Sequence, residues 1–132
     1  MTLVYLDASA IVKLVVAEPE SAALIDRLRE WPQRASSALS ITEVPRALRR
    51  AGFTAPATRR ARAVLARVAL VEIDRTILTA AAALNPAGLR TLDAIHLATA
   101  LSLRADLAAF VTYDRRLGAA AELADLEVSA PV

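Results

Sequence analysis

The chain has 132 residues, 56% of them hydrophobic and 23% charged, which suits one domain spanning 1–132 with its own core and excludes disorder. It contains no Cys and a single His (His96), so disulfides, thiolate zinc sites, a Cys nucleophile and any mechanism needing an imidazole pair are excluded. Net charge is only +2, yet fifteen of the sixteen cations are Arg, and seven of them fall between Val44 and Val71 with no acid among them. Such a guanidinium-rich segment suits phosphates or an acidic partner, and it also reads as a solvated helix face. The longest uncharged stretch, between Arg75 and Arg90, is interrupted by Asn85, Pro86 and Gly88, so no membrane span is expected. The opening MTLVYLD has no basic leader, and the expectation is a cytoplasmic protein.

In chain order, LVYL (3–6) predicts a first strand and residues 8–17 a helix. Pro19 predicts the start of a second helix carrying Leu24, Ile25, Leu28 and Trp31 at helical spacing. A short strand is expected near 35–38. Ile41, Val44, Leu48 and Ala51 mark a third helix that stops at Gly52, and a fourth runs over 55–69 with Arg on its outer face. ALVEI (69–73) reads as a strand and 75–84 as a helix ended by Asn85-Pro86. Thr91 is expected to cap a helix reaching Arg104, LAAFVTY (107–113) is a strand, 115–121 a short helix and 126–129 a last strand. Strands alternating with helices predict a three-layer α/β/α sandwich around a parallel sheet, whose ligands bind beyond the carboxyl ends of the strands.

Four acids fall at junctions expected along that edge. Asp7 ends the first strand, Glu43 and Asp93 sit in the first turns of two helices, and Asp114 follows the strand LAAFVTY. Asp7 and Asp93 lie in strongly apolar stretches, where a carboxylate needs a cation or hydrogen bonds to compensate its burial. Arg90 is the only cation near Asp93 in sequence. Carboxylates meeting at one site would repel one another, and a divalent metal removes that repulsion. Hard oxygen donors without Cys favour Mg²⁺ or Mn²⁺ over zinc, an arrangement suited to phosphodiester hydrolysis without a side-chain nucleophile. Ser9 and Thr112 are placed to orient a water or a phosphate oxygen.

Each acid taken alone also reads as a helix cap. Ser40-Ile41-Thr42-Glu43 spells a capping box, Glu43 could pair with Arg46, and Asp74 follows a strand and precedes a helix just as Asp114 does. Pro45 requires its helix to begin close to Thr42. His96, alone in an apolar helix, reads as a satisfied core residue, and Lys13 as a surface cation. The five aromatics are dispersed, so no base-stacking platform is expected.

The segments LVYLDASAIVKL, ITEVPRALRR, LRTLDAIHLATAL and VTYDRRLGAAA, in this order over nearly the whole chain, resemble the PIN-domain ribonucleases, most closely the VapC-type toxins of toxin–antitoxin pairs. The resemblance implies an endoribonuclease dependent on Mg²⁺ or Mn²⁺. Asp7, Asp93 and Asp114 would bind metal, Glu43 would bind it or orient the attacking water, and Ser9 would assist. It sets Asp114 above Asp74. It also implies a homodimer and an antitoxin docked across the active-site groove, with Arg46, Arg49 and Arg50 gripping RNA or that partner. The alternative is a non-catalytic PIN-like module that only binds nucleic acid or protein.

Overall fold

Side chains alternate across a strand, and the opening residues show the consequence: Val4 and Leu6 join one hydrophobic core and Tyr5 joins another. The computed structural model, which describes residues 1–132, contains five strands: β1 (Leu3–Leu6), β2 (Gln33–Ser37), β3 (Ala69–Val71), β4 (Leu107–Val111) and β5 (Val128–Ser129). They form one sheet in the order β3-β2-β1-β4-β5 with every neighbouring pair parallel. Helices α1 (Ala8–Val15), α2 (Ser21–Leu28), α3 (Ser40–Arg50) and α4 (Ala55–Leu65) bury Ile11, Leu24, Leu28, Val44, Leu48 and Ala61 against Val4, Leu6, Ala109 and Val111 on one face. On the other face, α6 (Thr91–Ser102) and α7 (Arg115–Leu123) bury Leu97, Leu117 and Ala121 against Tyr5 and Phe110, while α5 (Arg75–Ala82) packs on α6 through Ile77, Ala81, Ala94 and Ala98. This is the expected three-layer α/β/α sandwich. No helix is long and apolar enough to cross a membrane.

The strand order dictates where chemistry can sit. From β1 the chain moves outward through β2 to β3, then returns to place β4 on the other side of β1. The order therefore reverses between β1 and β4, and a crevice opens beyond their carboxyl ends. Asp7 and the segment Thr112–Asp114 leave the sheet at that point, the backbone N–H of Asp7 donating to Val111 C=O at 3.2 Å. Helix α6 lies under the same edge with Ala94–Ala100 all buried, because the sheet, α5 and α7 enclose it on most sides.

Several expected boundaries move. The second helix begins at Ser21, two residues after Pro19, because the Ser21 hydroxyl first closes a turn: it accepts from Glu18 N–H and donates to Val16 C=O. It ends at Leu28, and Trp31 packs beyond it under the Arg27 guanidinium, 4.3 Å from the ring centroid. Strand β2 begins at Gln33 although its sequence is polar; pairing with β1 and β3 on both sides overrides propensity and buries Ser36 and Ser37 completely. Thr91 does not cap α6: Arg90 occupies the N-cap, and its side chain makes no capping bond to the helix N–H groups. Helix α3 begins at Ser40, ahead of the start Pro45 was expected to require. Pro45 sits inside it, and the helix tolerates the missing N–H at Ile41 C=O, whose residue is half exposed to water.

Full burial of a Leu side chain contributes roughly 1.5–3 kcal/mol, and its removal adds a cavity term. Leu97→Ala, at a site with no exposure, is expected to lower unfolding free energy by about 2–5 kcal/mol in urea titration at an unchanged denaturant slope.

Candidate active site

Asp7 is the most deeply placed of the four acids, 4% exposed at the N-cap of α1. Its Oδ1 accepts from Ala10 N–H at 3.0 Å and Ser9 Oγ–H at 2.7 Å, and its Oδ2 accepts from Thr112 Oγ1–H at 2.6 Å. Ser9 Oγ in turn accepts from Tyr113 N–H at 3.0 Å, and Thr112 Oγ1 from Asp114 N–H at 3.1 Å. The two hydroxyls that sequence reasoning gave to water or phosphate are thus engaged in lashing Asp7 to the end of β4. Burial pushes the Asp7 carboxyl above the ordinary Asp range, and the bonds from Thr112, Ser9 and Ala10 oppose that rise only in part.

Asp114 caps α7, its Oδ1 accepting from Arg116 N–H and Leu117 N–H at 2.9 and 3.1 Å. Its Oδ2 accepts from Arg90 Nη2 at 3.1 Å, and the same guanidinium donates through Nε to Asp93 Oδ2 at 3.2 Å. The hydrogen bond to Asp93, then the charges of both carboxylates, hold the Arg90 ionisation above its usual value. Glu43 leaves the first turn of α3 and its Oε1 meets His96 Nε2 at 2.5 Å. The expected capping box does not form, since Ser40 Oγ is hydrogen-bonded to Ser36 Oγ at 2.8 Å, and no Glu43–Arg46 pair forms either.

All four acids line one cleft of about 240 Å³, together with His96, Arg50 and Arg90. Four carboxylates face two guanidiniums, an excess of two anionic groups. No three acidic or imidazole side chains stand close enough in this arrangement to enclose an ion, for an identifiable reason: Arg90 lies between Asp93 and Asp114, and Glu43 is held by His96. The donor set nevertheless fits a hard divalent cation. It consists of carboxylate oxygens, one of them buried without a cationic partner of its own, and the Arg90 side chain that bridges two of the acids is 70% exposed.

Arg46, Arg49 and Arg50 wall a depression on α3, and Arg50 also lines the acidic cleft, so a basic surface runs into it. Asp74 shows what a lone cap looks like: it accepts from Ile77 N–H at 2.8 Å after the edge strand β3 and does not line the cleft. Lys13 is not a free surface cation. It pairs with Glu20 at 2.9 Å and Glu18 at 3.5 Å and lies over the Tyr113 ring. His96 is buried, as expected of a core residue, but its bond to Glu43 puts it at the site, which sequence reasoning missed. Its position three residues after Asp93, on the same side of α6, was the available signal.

A doubly wound parallel sheet with four acids at its order reversal defines an α/β domain with an acidic cleft at that edge. The chain belongs to the PIN domain family, whose model matches residues 4–123, and within it to the VapC type. Ribonuclease VapC46 of Mycobacterium tuberculosis is 49% identical over 131 residues, covering 99% of each chain. Ribonuclease VapC35 of the same organism is 44% identical over 133 residues, covering 98% of this chain and 97% of that one. Among solved structures, a toxin–antitoxin complex from Klebsiella pneumoniae aligns with a TM-score of 0.66 at 26% identity, over 84% of this chain and 86% of that one.

The raised Asp7 ionisation carries a stability consequence. The folded state holds that proton more tightly than the unfolded state, so the contribution of Asp7 is fully present at acidic pH and is lost as pH rises through the raised folded value. In cation-free buffer Asp7→Asn is therefore expected to melt a few degrees above the unsubstituted chain at neutral pH. The gap should close on acidification toward the ordinary Asp range, as read by scanning calorimetry.

Proposed function

We propose that this protein is an endoribonuclease toxin that hydrolyses RNA phosphodiester bonds with the help of Mg²⁺ or Mn²⁺ and is restrained by an antitoxin protein. One observation carries the reading: carboxylates from four separate segments converge in one cleft at the sheet's order reversal, beside a surface made of arginines. The names of the VapC ribonucleases it resembles over its full length, and of the toxin–antitoxin complex that shares its fold, support the same reading.

Asp7, Asp93 and Asp114 would hold the cation. When bound, it supplies Lewis acidity, making water nucleophilic near neutral pH and offsetting charge that builds on the phosphate. The chain's own residues do the rest. Ser9 and Thr112 keep Asp7 aimed into the cleft, and Glu43 orients the attacking water. Arg90, which bridges Asp93 and Asp114, would have to yield those carboxylates to a cation and would then stand beside the phosphate. Arg46, Arg49 and Arg50 hold the RNA backbone, which places recognition on phosphates and shape, since no aromatic platform faces the cleft.

The bridge from Arg90 to two acids favours the alternative of a binding-only module, because it already engages half of the cluster with a cation. Two carboxylates remain after it, however, and they would repel a phosphate that no cation accompanies.

Purified protein is expected to cleave RNA in Mn²⁺ or Mg²⁺ and to stop in excess EDTA. Asp7→Asn should lose activity by about a hundredfold or more, the scale of removing a group that stabilises transition-state charge. Mn²⁺ should raise the melting temperature of the unsubstituted chain but not of Asp7→Asn. Full cleavage by Asp7→Asn, or in EDTA, overturns the mechanism.

Joint replacement of Arg49 and Arg50 by Ala should raise KM more than it lowers kcat. It should also flatten the dependence of log KM on log salt concentration by about one for each RNA phosphate left without its guanidinium, measured between low and physiological salt.

A further inference from the structure

The proposed nuclease needs Glu43 fixed, yet Glu43 ignores both partners its own helix offers, the Ser40 backbone and Arg46. It reaches instead across 53 positions to a buried imidazole. His96 has 2% of its surface exposed and both ring nitrogens engaged: Nε2 with Glu43 Oε1 at 2.5 Å and Nδ1 with Tyr5 Oη at 2.6 Å. Tyr5 is itself immobilised. It has no exposure, stacks on Phe110 with ring centroids 5.3 Å apart and planes 2° from parallel, and meets the His96 ring edge-on at 5.9 Å.

The direction of the bonds follows from the chemistry of the ends. A carboxylate offers only lone pairs, so Nε2 carries the proton it donates to Glu43. With that proton on Nε2 and none on Nδ1, the ring presents a lone pair at Nδ1 into which the Tyr5 hydroxyl donates. The chain Tyr5 Oη–H to Nδ1, Nε2–H to Oε1 runs from the middle of β1, through α6, to the cleft. It engages one oxygen of Glu43, and the other takes no protein donor while the side chain lines the cleft.

We propose that His96 is a positioning residue for Glu43, locked in its tautomer by Tyr5, so that one carboxylate oxygen is anchored and the second is aimed at the water that attacks RNA. This role rests on the nuclease reading above. It differs from a purely structural histidine, which would support the fold without affecting turnover.

Two measurements test it. Tag-free protein contains a single His, so isotope-labelled protein gives one imidazole ¹⁵N pattern. The expected pattern has Nε2 protonated and Nδ1 bare; a proton on Nδ1, with or without one on Nε2, overturns the proposal. In steady-state cleavage, His96→Asn keeps reach to Tyr5 but not to Glu43. It is expected to lower kcat about 10- to 100-fold, the usual effect of removing a group that orients an active-site ligand, with KM unchanged. His96→Gln, whose amide nitrogen falls near the Nε2 position, should recover most of that loss. In a Glu43→Gln background, His96→Asn should add no further loss.

Wild-type kcat in His96→Asn, equal impairment of Asn and Gln, or full additivity with Glu43→Gln each overturns the assignment while the nuclease reading stands. If His96→Asn does not fold, Tyr5→Phe decides in its place: a smaller loss of kcat at unchanged KM supports the chain of bonds, and wild-type kcat refutes it. A wild-type protein that cleaves no RNA overturns the nuclease reading and this role together.

Discussion

Everything at the acidic edge is referenced to the carboxylate of Asp7, buried where the sheet reverses its strand order. Residues 7 and 112 are 105 positions apart, and only the placement of β4 beside β1 brings them to a 2.6 Å hydrogen bond. A carboxylate so enclosed must be met by donors, and Ala10, Ser9 and Thr112 supply them. The same hydroxyls accept from the backbone of Tyr113 and Asp114, so the ends of β1 and β4 form a single hydrogen-bonded rim. Once that rim is set, Asp114 has one position, Arg90 bridges from it to Asp93, and α6 is seated with His96 facing Glu43.

That rim is held against an electrostatic preference. Burial disfavours the charged form of Asp7, and four carboxylates around one cleft repel one another with only Arg50 and Arg90 to offset them. A fold optimised for stability alone would not retain such a cluster; strain of this kind concentrates where function needs it. Asp74 is the contrast. It has the same strand-then-helix setting as Asp114 and the same capping bond, but β3 is an edge strand away from the order reversal, so its carboxylate does one local job.

Local chemistry made much of this legible in the sequence. The apolar runs at 3–6 and 107–111 identified the two central strands, and Asp7 and Asp114 read correctly as helix caps. Where local rules failed, tertiary pairing had overruled them. Polar Gln33–Ser37 became an interior strand because β1 and β3 flank it, and the Ser40–Glu43 box lost both members to partners outside the helix, Ser36 and His96. Ser9 and Thr112, expected to orient a water or a phosphate oxygen, turn their hydroxyls inward to Asp7.

By itself, then, the sequence determined the alternation of elements, the layer architecture and which acids stand at strand ends and first turns, because those depend on periodicity and capping within a few residues. Tertiary structure alone decided that Arg90 joins Asp93 to Asp114 and that His96 joins Tyr5 to Glu43. Those facts depend on which strands are neighbours, and hydrogen bonds between side chains 24, 53 or 91 positions apart leave no local trace in the chain.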